Sequence, residues 1–249
     1  KADKNRTGVT DYWYRSYPMD LKKIHIITAA DKNFQEFVSK CADSARTLGY
    51  HTTVYDLGGL GFGKEFKGKV SDSIGAKIPC KPSIILDAMH NTPKNDHIVW
   101  IDADVVMWER IDEITKTHFD IGVTGRKPKH AESDLPINAG VVFIRNSNSA
   151  EKFVRQWVTA CENAKSDQVE LNKLCQISSA DIGTTLIKHD TKIHVFPCDI
   201  YNNFYFKKTQ LHAKIIHYKS KHRFRWPERT VKKIPKGFAG DRSPYVQTK

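Results

Sequence analysis

Apolar residues along the chain switch between two periods, and the switches mark out alternating strands and helices. In Lys23-Ile-His-Ile-Ile-Thr28 the β-branched residues crowd a short run, which predicts a first strand entering a buried sheet. Phe34, Phe37, Val38, Cys41, Ala42, Ala45 and Leu48 then recur at helical spacing, with Asp31 at the N-cap and Gly49 as the stop. Thr52–Tyr55 predicts a second strand, so the chain opens like a parallel sheet, with a right-handed crossover. Lys81–His90 has a proline near the start of a periodic apolar run, as a helix N-terminus does. His97-Ile-Val-Trp-Ile101 is continuously apolar and too short for a helix, hence a buried strand. Further strands are expected at Phe119–Thr124, Gly140–Ile144, Lys192–Phe196 and Ala213–His217, with helices near Ala150–Glu162 and Asp167–Cys175. The pattern as a whole predicts a single α/β domain over residues 21–234, with a lead-in over 1–20 and a tail over 235–249.

Composition narrows the class. The chain has 249 residues, enough for a sizeable core, and its 39% hydrophobic content is offset by lysine rather than by low-complexity Gly/Pro, which argues against disorder. Five scattered cysteines with no CxxC spacing read as reduced thiols, not a disulfide framework or zinc module. No apolar run of about 18 residues is present, so no membrane span is expected, and the expected compartment is the cytoplasm. The net charge of +12 calls for an anionic counterpart: nucleic acid, a membrane surface or substrate phosphates. Much of the excess falls in Lys207-Lys208, Lys219–Arg225 and Arg229–Lys236, which suggests an anionic acceptor or peripheral contact with an anionic bilayer. Gly58-Gly-Leu-Gly-Phe-Gly63 reads as a mobile basic loop rather than a phosphate cradle, because no GxGxxG-to-helix pattern accompanies it.

Chemistry enters at Asp102-Ala-Asp104. A buried strand ending there delivers two carboxylates to the carboxyl edge of the sheet, where open α/β folds place their ligand crevice. Two carboxylates pointing to one side repel each other unless a cation lies between them, and hard oxygen ligands suit Mg²⁺ or Mn²⁺.

Several segments then agree as an ordered set: Ile26-Ile-Thr-Ala-Ala30, Lys81-Pro82, Val99-Trp-Ile-Asp-Ala-Asp104, Ile137-Asn-Ala-Gly-Val-Val-Phe143, Asp167-Gln168 with Leu171-Asn172, and Ile216-His-Tyr-Lys219. Together they resemble the retaining GT-A glycosyltransferases related to glycogenin and the bacterial lipopolysaccharide galactosyltransferases, in the nucleotide-diphospho-sugar transferase group. The resemblance runs from Ile24 to Trp226. It implies a GT-A (Rossmann-like) fold with a mixed, mainly parallel central sheet flanked by helices. The implied activity is metal-dependent, retaining transfer from a nucleotide-diphosphate sugar, a UDP-sugar, to a glycan, glycolipid or other hydroxyl acceptor.

Carried over by position, the resemblance implies that Thr28, Ala29 and Ala30 line the nucleotide pocket, with Asp31 either contacting base or ribose or capping a helix. Lys81 and Ala103 join them on the nucleotide diphosphate. Asp102 contacts ribose and metal, and Asp104 and His217 complete the metal site, where imidazole favours Mn²⁺ over Mg²⁺. Asn138 reaches the donor sugar or else forms a plain turn, and Asp167 and Gln168 flank the reacting face or simply start a helix. Lys219 and Lys221 neutralise the leaving diphosphate. The chain reads Lys219-Ser-Lys-His-Arg-Phe-Arg-Trp-Pro227 where the family carries a glycine and a Lys-Pro-Trp run.

Two other readings compete. A sugar-phosphate nucleotidyltransferase also pairs carboxylates on a metal but carries a glycine-rich basic loop after its first strand, and Thr28-Ala-Ala-Asp31 has none. A nucleic-acid-binding module would use the basic excess with Phe204, Tyr205, Phe206 and Trp226, yet no RRM, KH or zinc-finger signature is present. Nucleic acid is therefore not an expected partner.

Overall fold

The computed structural model describes residues 23–59, 61, 63–66, 80–127, 135–204 and 212–219. The expected lead-in and tail, and Lys221, lie outside them. β1 (Ile24–Ala30), α1 (Gln35–Thr47) and β2 (His51–Asp56) form the expected opening unit, and Gly49, at φ 88°, follows the end of α1. β3 (Lys64–Glu65), α2 (Lys81–His90) and β4 (His97–Ile101) follow. After β4 come β5 (Val105–Met107), a 3₁₀ turn (Asp112–Lys116), β6 (Ile121–Gly125), β7 (Ile137–Arg145), α3 (Asn148–Cys161) and α4 (Asp167–Cys175). The chain then forms β8 (Thr185–Lys188), β9 (Thr191–Pro197), α5 (Cys198–Tyr201), β10 (Asn203–Phe204) and β11 (Ile215–His217).

The main sheet has the order β3-β2-β1-β4-β7-β6-β9-β8. β3, β2, β1 and β4 pair in parallel, and so do β6 and β9; β7 runs antiparallel between β4 and β6, and β8 closes the edge antiparallel to β9. A second sheet, β10-β11-β5, packs beside it.

Why β4 reads as unbroken apolar sequence is visible in its packing. Ile98 and Trp100 enter the core under α2, α3 and α4 with Ile84, Phe153 and Trp157, while Val99 and Ile101 enter the opposite core with Cys41 of α1, Val105 and Ile215. Alternate side chains thus bury on both faces, and each such aliphatic side chain contributes about 1.5–3 kcal/mol. The opposite core also reaches the second sheet through Ser44 of α1, whose Oγ accepts from Met107 N at 3.0 Å.

Two expectations change. Asp31 does not cap α1: the chain makes a turn first, with Phe34 N donating to Asp31 O at 3.0 Å, so Phe34 occupies the cap and the Asp31 carboxylate instead accepts from Asn33 N at 2.8 Å. Asn138 does not precede its strand but lies inside β7, where the pairing with β6 shifts register between Val123 and Thr124. In the glycine-rich loop, the amides of Gly58 and Gly61 donate to the Asp56 carboxylate at 2.9 and 2.7 Å, so these donors already hold an anion supplied by the chain. β8 and the small second sheet were not anticipated.

Candidate active site

β4 ends in a tight turn, Val105 N donating to Asp102 O at 3.0 Å, and this turn sets out Asp102 and Asp104. Asp102 N donates to Gly140 O at 2.9 Å, which ties the turn to β7, and Tyr218 N donates to Asp104 O at 2.8 Å, which ties it to the end of β11. β11 brings His217 against the pair. Its Nε2 stands 3.0 Å from Asp104 Oδ1 and 3.8 Å from Asp102 Oδ2, and one ligand atom from each of the three residues lies within 4.8 Å of the others.

The imidazole is oriented from behind. Asn202 Nδ2 donates to Thr124 Oγ1 (2.9 Å) and Asn138 O (3.3 Å), which fixes the amide so that its Oδ1 accepts from His217 Nδ1 at 2.9 Å. Nδ1 then carries a proton, and Nε2 stands 3.0 Å from a carboxylate oxygen. Two acceptors at that distance need a cation or a proton between them. Oxygen, oxygen and imidazole nitrogen form a donor set that fits a first-row divalent cation.

On the other side lies a buried charge cluster. Lys81, at the start of α2, places Nζ 3.0 Å from Asp102 Oδ1, 2.8 Å from Asp167 Oδ2 and 2.8 Å from Ala139 O. Burial would lower the Lys81 pKa, but the two carboxylates win and it is raised. Asp102 shows the converse: burial pushes its carboxyl up, while Lys81 and His217 bring it below the ordinary value. Asp167 stays above its ordinary value because burial outweighs Lys81. Trp100, two residues before Asp102, donates Nε1 to Asp102 Oδ1 at 2.9 Å.

Asn138 is fully buried, and its Oδ1 accepts from Gly140 N (3.1 Å) and Lys219 Nζ (3.3 Å) while Nδ2 has no hydrogen-bond partner. Gln168 Oε1 accepts from Ala139 N at 3.2 Å, so α4 is keyed to β7 beside Asn138. Lys219 lies 5.0 Å from the Phe204 ring centroid, and burial lowers its pKa. Ala30 and Ala103 pack together with Val38 and Val54 at the carboxyl ends of β1 and β4, and Ala29, half-buried, packs against the core under α2, α3 and α4. Thr28 is fully buried, with Cys41 Sγ 4.0 Å from its hydroxyl, and the Asp31 carboxylate is engaged by Asn33. The structure therefore gathers Lys81, Asp102, Asp104, Asn138, Asp167, Gln168, His217 and Lys219 at one place, with Ala30 and Ala103 adjoining through Asp102.

Four participants were missed in the sequence: Trp100, Asn202, Phe204 and Arg126, a buried cation 5.5 Å from the Phe204 centroid. Trp100 was legible by period, being two residues from Asp102 on a strand. Asn202 and Arg126 had no signal, because each acts through partners 15 or more residues away.

Residues 93–223 match the nucleotide-diphospho-sugar transferase family. The chain belongs to that family. This transferase superposes on a glycosyltransferase involved in glycosylation of the major capsid of PBCV-1 with a TM-score of 0.57 and 14% identity, over 81% of this chain and 96% of that one. It superposes on the glycosyltransferase GlyE of Streptococcus pneumoniae TIGR4 with a TM-score of 0.52 and 14% identity, over 79% of this chain and 54% of GlyE. No curated protein sequence matches the chain significantly. The transferase is thus a glycosyltransferase of GT-A fold, with the mixed, mainly parallel sheet that the resemblance implied. Among its described residues no helix is long and apolar enough to cross a membrane.

Proposed function

We propose that this glycosyltransferase moves a sugar from a UDP-sugar to a glycan or glycolipid hydroxyl, with retention, using Mn²⁺ held by Asp102, Asp104 and His217. The observation that carries the reading is His217 Nε2 standing 3.0 Å from Asp104 Oδ1 and 3.8 Å from Asp102 Oδ2, an arrangement that favours a cation among the three. Imidazole in the set favours Mn²⁺ over Mg²⁺. A divalent cation bound there supplies Lewis-acid stabilisation of the leaving diphosphate.

The remaining work falls to the chain. Lys219, half-buried with its pKa drawn down by burial, offers the second positive charge to the diphosphate. Ala29, Ala30 and Ala103 are small enough to let the nucleotide approach the backbone at the sheet edge, with Thr28 and Asp31 shaping the turn beneath it. Asn138 would set Lys219 toward the donor sugar through its Oδ1, 3.3 Å from Lys219 Nζ, while Asp167 and Gln168 define the reacting face from α4. Lys221 and the basic run behind it would meet an anionic acceptor or a bilayer surface.

Calorimetric titration of UDP with and without Mn²⁺ tests the reading. Binding should require Mn²⁺ and be lost in Asp102→Ala/Asp104→Ala; metal-independent binding, or none, would remove the proposed donor site. Retention is checked separately by the anomeric configuration of the product by NMR, where inversion from an α-linked donor contradicts it.

A second prediction concerns Asn202. Asn202→Ala should weaken Mn²⁺ about 10–100-fold, because the imidazole loses the acceptor that fixes its tautomer. Asn202→Asp, which keeps an acceptor oxygen, should recover most of the affinity. Equal Mn²⁺ affinity in the parent and the alanine variant would show that His217 needs no such orientation.

A further inference from the structure

His97 opens the strand whose far end carries Asp102, and around it lies a cleft of about 420 Å³ lined by Lys23, Asn95, His97, Thr115, Lys116, Thr117, His118 and Arg145. Among the described residues no carboxylate lines it. Lys23, Lys116 and Arg145 give it three permanent cations, and threonine hydroxyls, an amide and two imidazoles supply further hydrogen-bonding groups.

These parts are held in place. Arg145 is the register partner of His97 across β4 and β7, and its guanidinium donates to Asn95 Oδ1 at 3.1 Å and to His118 Nδ1 at 3.0 Å. The second contact leaves His118 Nε2–H as that ring's donor. Asn95 holds the turn with φ 71° while its backbone N donates to Asn146 O at 3.0 Å. His97 is 6% exposed and packs edge-on to Phe119 at 5.6 Å, yet neither of its ring nitrogens has a hydrogen-bond partner. A buried imidazole with both nitrogens unmet costs about 1–3 kcal/mol per lost group, an expense that a structural core residue normally avoids.

We propose that this cleft is a second ligand site, separate from the donor site, which binds a phosphoryl group. Of the nearby acids, Asp120 is engaged by Ser147 Oγ at 2.6 Å and Lys192 N at 3.0 Å, and Asp96, which interacts with Lys23, is not part of the lining. The excess of positive charge is also felt by His97, whose pKa falls to about 4 through burial first and then through Arg145 and Lys23. An oxyanion would relieve that repulsion and offer acceptors to Arg145, Lys116 and His118, and a phosphoryl group matches the fork of a guanidinium. The site stands independently of the metal cluster.

The test titrates inorganic pyrophosphate into metal-free protein and follows the imidazole resonances of His97 and His118 by NMR, with sodium chloride of equal ionic strength as the control. Pyrophosphate should raise the His97 pKa by about one unit, a tenfold effect on its proton affinity. Lys23→Gln/Lys116→Gln, which changes only exposed side chains, should weaken the response about tenfold, and Arg145→Gln should remove it. An equal response to chloride, or an unchanged response in the lysine variant, overturns the proposal. Vesicles with and without phosphatidic acid distinguish the source. Pelleting with the acidic vesicles that Arg145→Gln abolishes assigns a lipid headgroup, and a pyrophosphate response without pelleting assigns a soluble phosphate.

Discussion

Lys81→Met is expected to abolish sugar transfer and to lower the unfolding free energy by about 3–5 kcal/mol at neutral pH. The lysine side chain is 8% exposed, and its ammonium is the shared counter-charge of Asp102 and Asp167 at 3.0 and 2.8 Å. Methionine fills the volume but leaves two carboxylates on either side of an apolar group with no cation between them. Burying an uncompensated charge costs more than the ion pair contributed, so the loss exceeds that of any exposed pair in this chain.

The sign of the pH dependence follows. Lys81 helps hold Asp102 below its ordinary pKa, so the stability the pair contributes is present above the unfolded carboxylate pKa and is lost as pH falls through the lower folded one. The gap between parent and variant should therefore be widest near neutrality and narrow toward pH 4, as both carboxylates take up protons. Adding Asp167→Asn should recover part of the stability without activity, because the amide removes one stranded charge but returns no partner to Asp102. Urea unfolding at neutral and acidic pH checks all three. A Lys81→Met protein as stable as its parent would mean that the carboxylates relax to solvent rather than remain buried.

How much of this was legible depends on how local each signal is. β4 and the Asp102/Asp104 pair could be read directly, because a strand buried on both faces writes itself as a continuous apolar run and its abrupt end is the functional edge. The start of α2 and α4 were legible for the same reason, since Pro82 and Ser166 are local start signals. β11 has only three residues, and His217 emerged from a resemblance rather than from any periodicity. β8 alternates between exposed and half-buried residues at a sheet edge, too polar to register as a strand. The extent of β7 was underread because Asn138, Ala139 and Gly140 look like a turn, whereas the register shift against β6 admits them into the sheet. Asn202 was out of reach altogether. Its role exists only once Thr124, Asn138 and His217 have been folded around it.

Gly140→Ala should cost at least about tenfold, and up to about 100-fold, in Mn²⁺ affinity while the sheet stays folded. The space this glycine leaves is filled by the protein itself. A Cβ at position 140 would overlap His217 Cε1, lie 2.5 Å from His217 Nδ1 and stand 3.2 Å from Asp102 Oδ2. His217 cannot retreat freely, being 1% exposed with Asn202 behind it and the Phe204 ring centroid 6.0 Å away. Any shift therefore breaks the Nδ1–Asn202 bond or swings Nε2 away from Asp104, and either one disturbs the candidate metal ligand. The strain itself is worth about 1–3 kcal/mol. Gly122→Ala is the matched control, for there a Cβ would meet Phe196 Cε2 at 2.7 Å and Phe143 Cβ at 2.9 Å in the core. Both variants should lower the melting temperature, but only Gly140→Ala should weaken Mn²⁺ and Mn²⁺-dependent UDP binding by calorimetry. Equal losses of metal affinity in the two would attribute the effect to general destabilisation, and normal affinity in Gly140→Ala would separate the His217 position from the metal site.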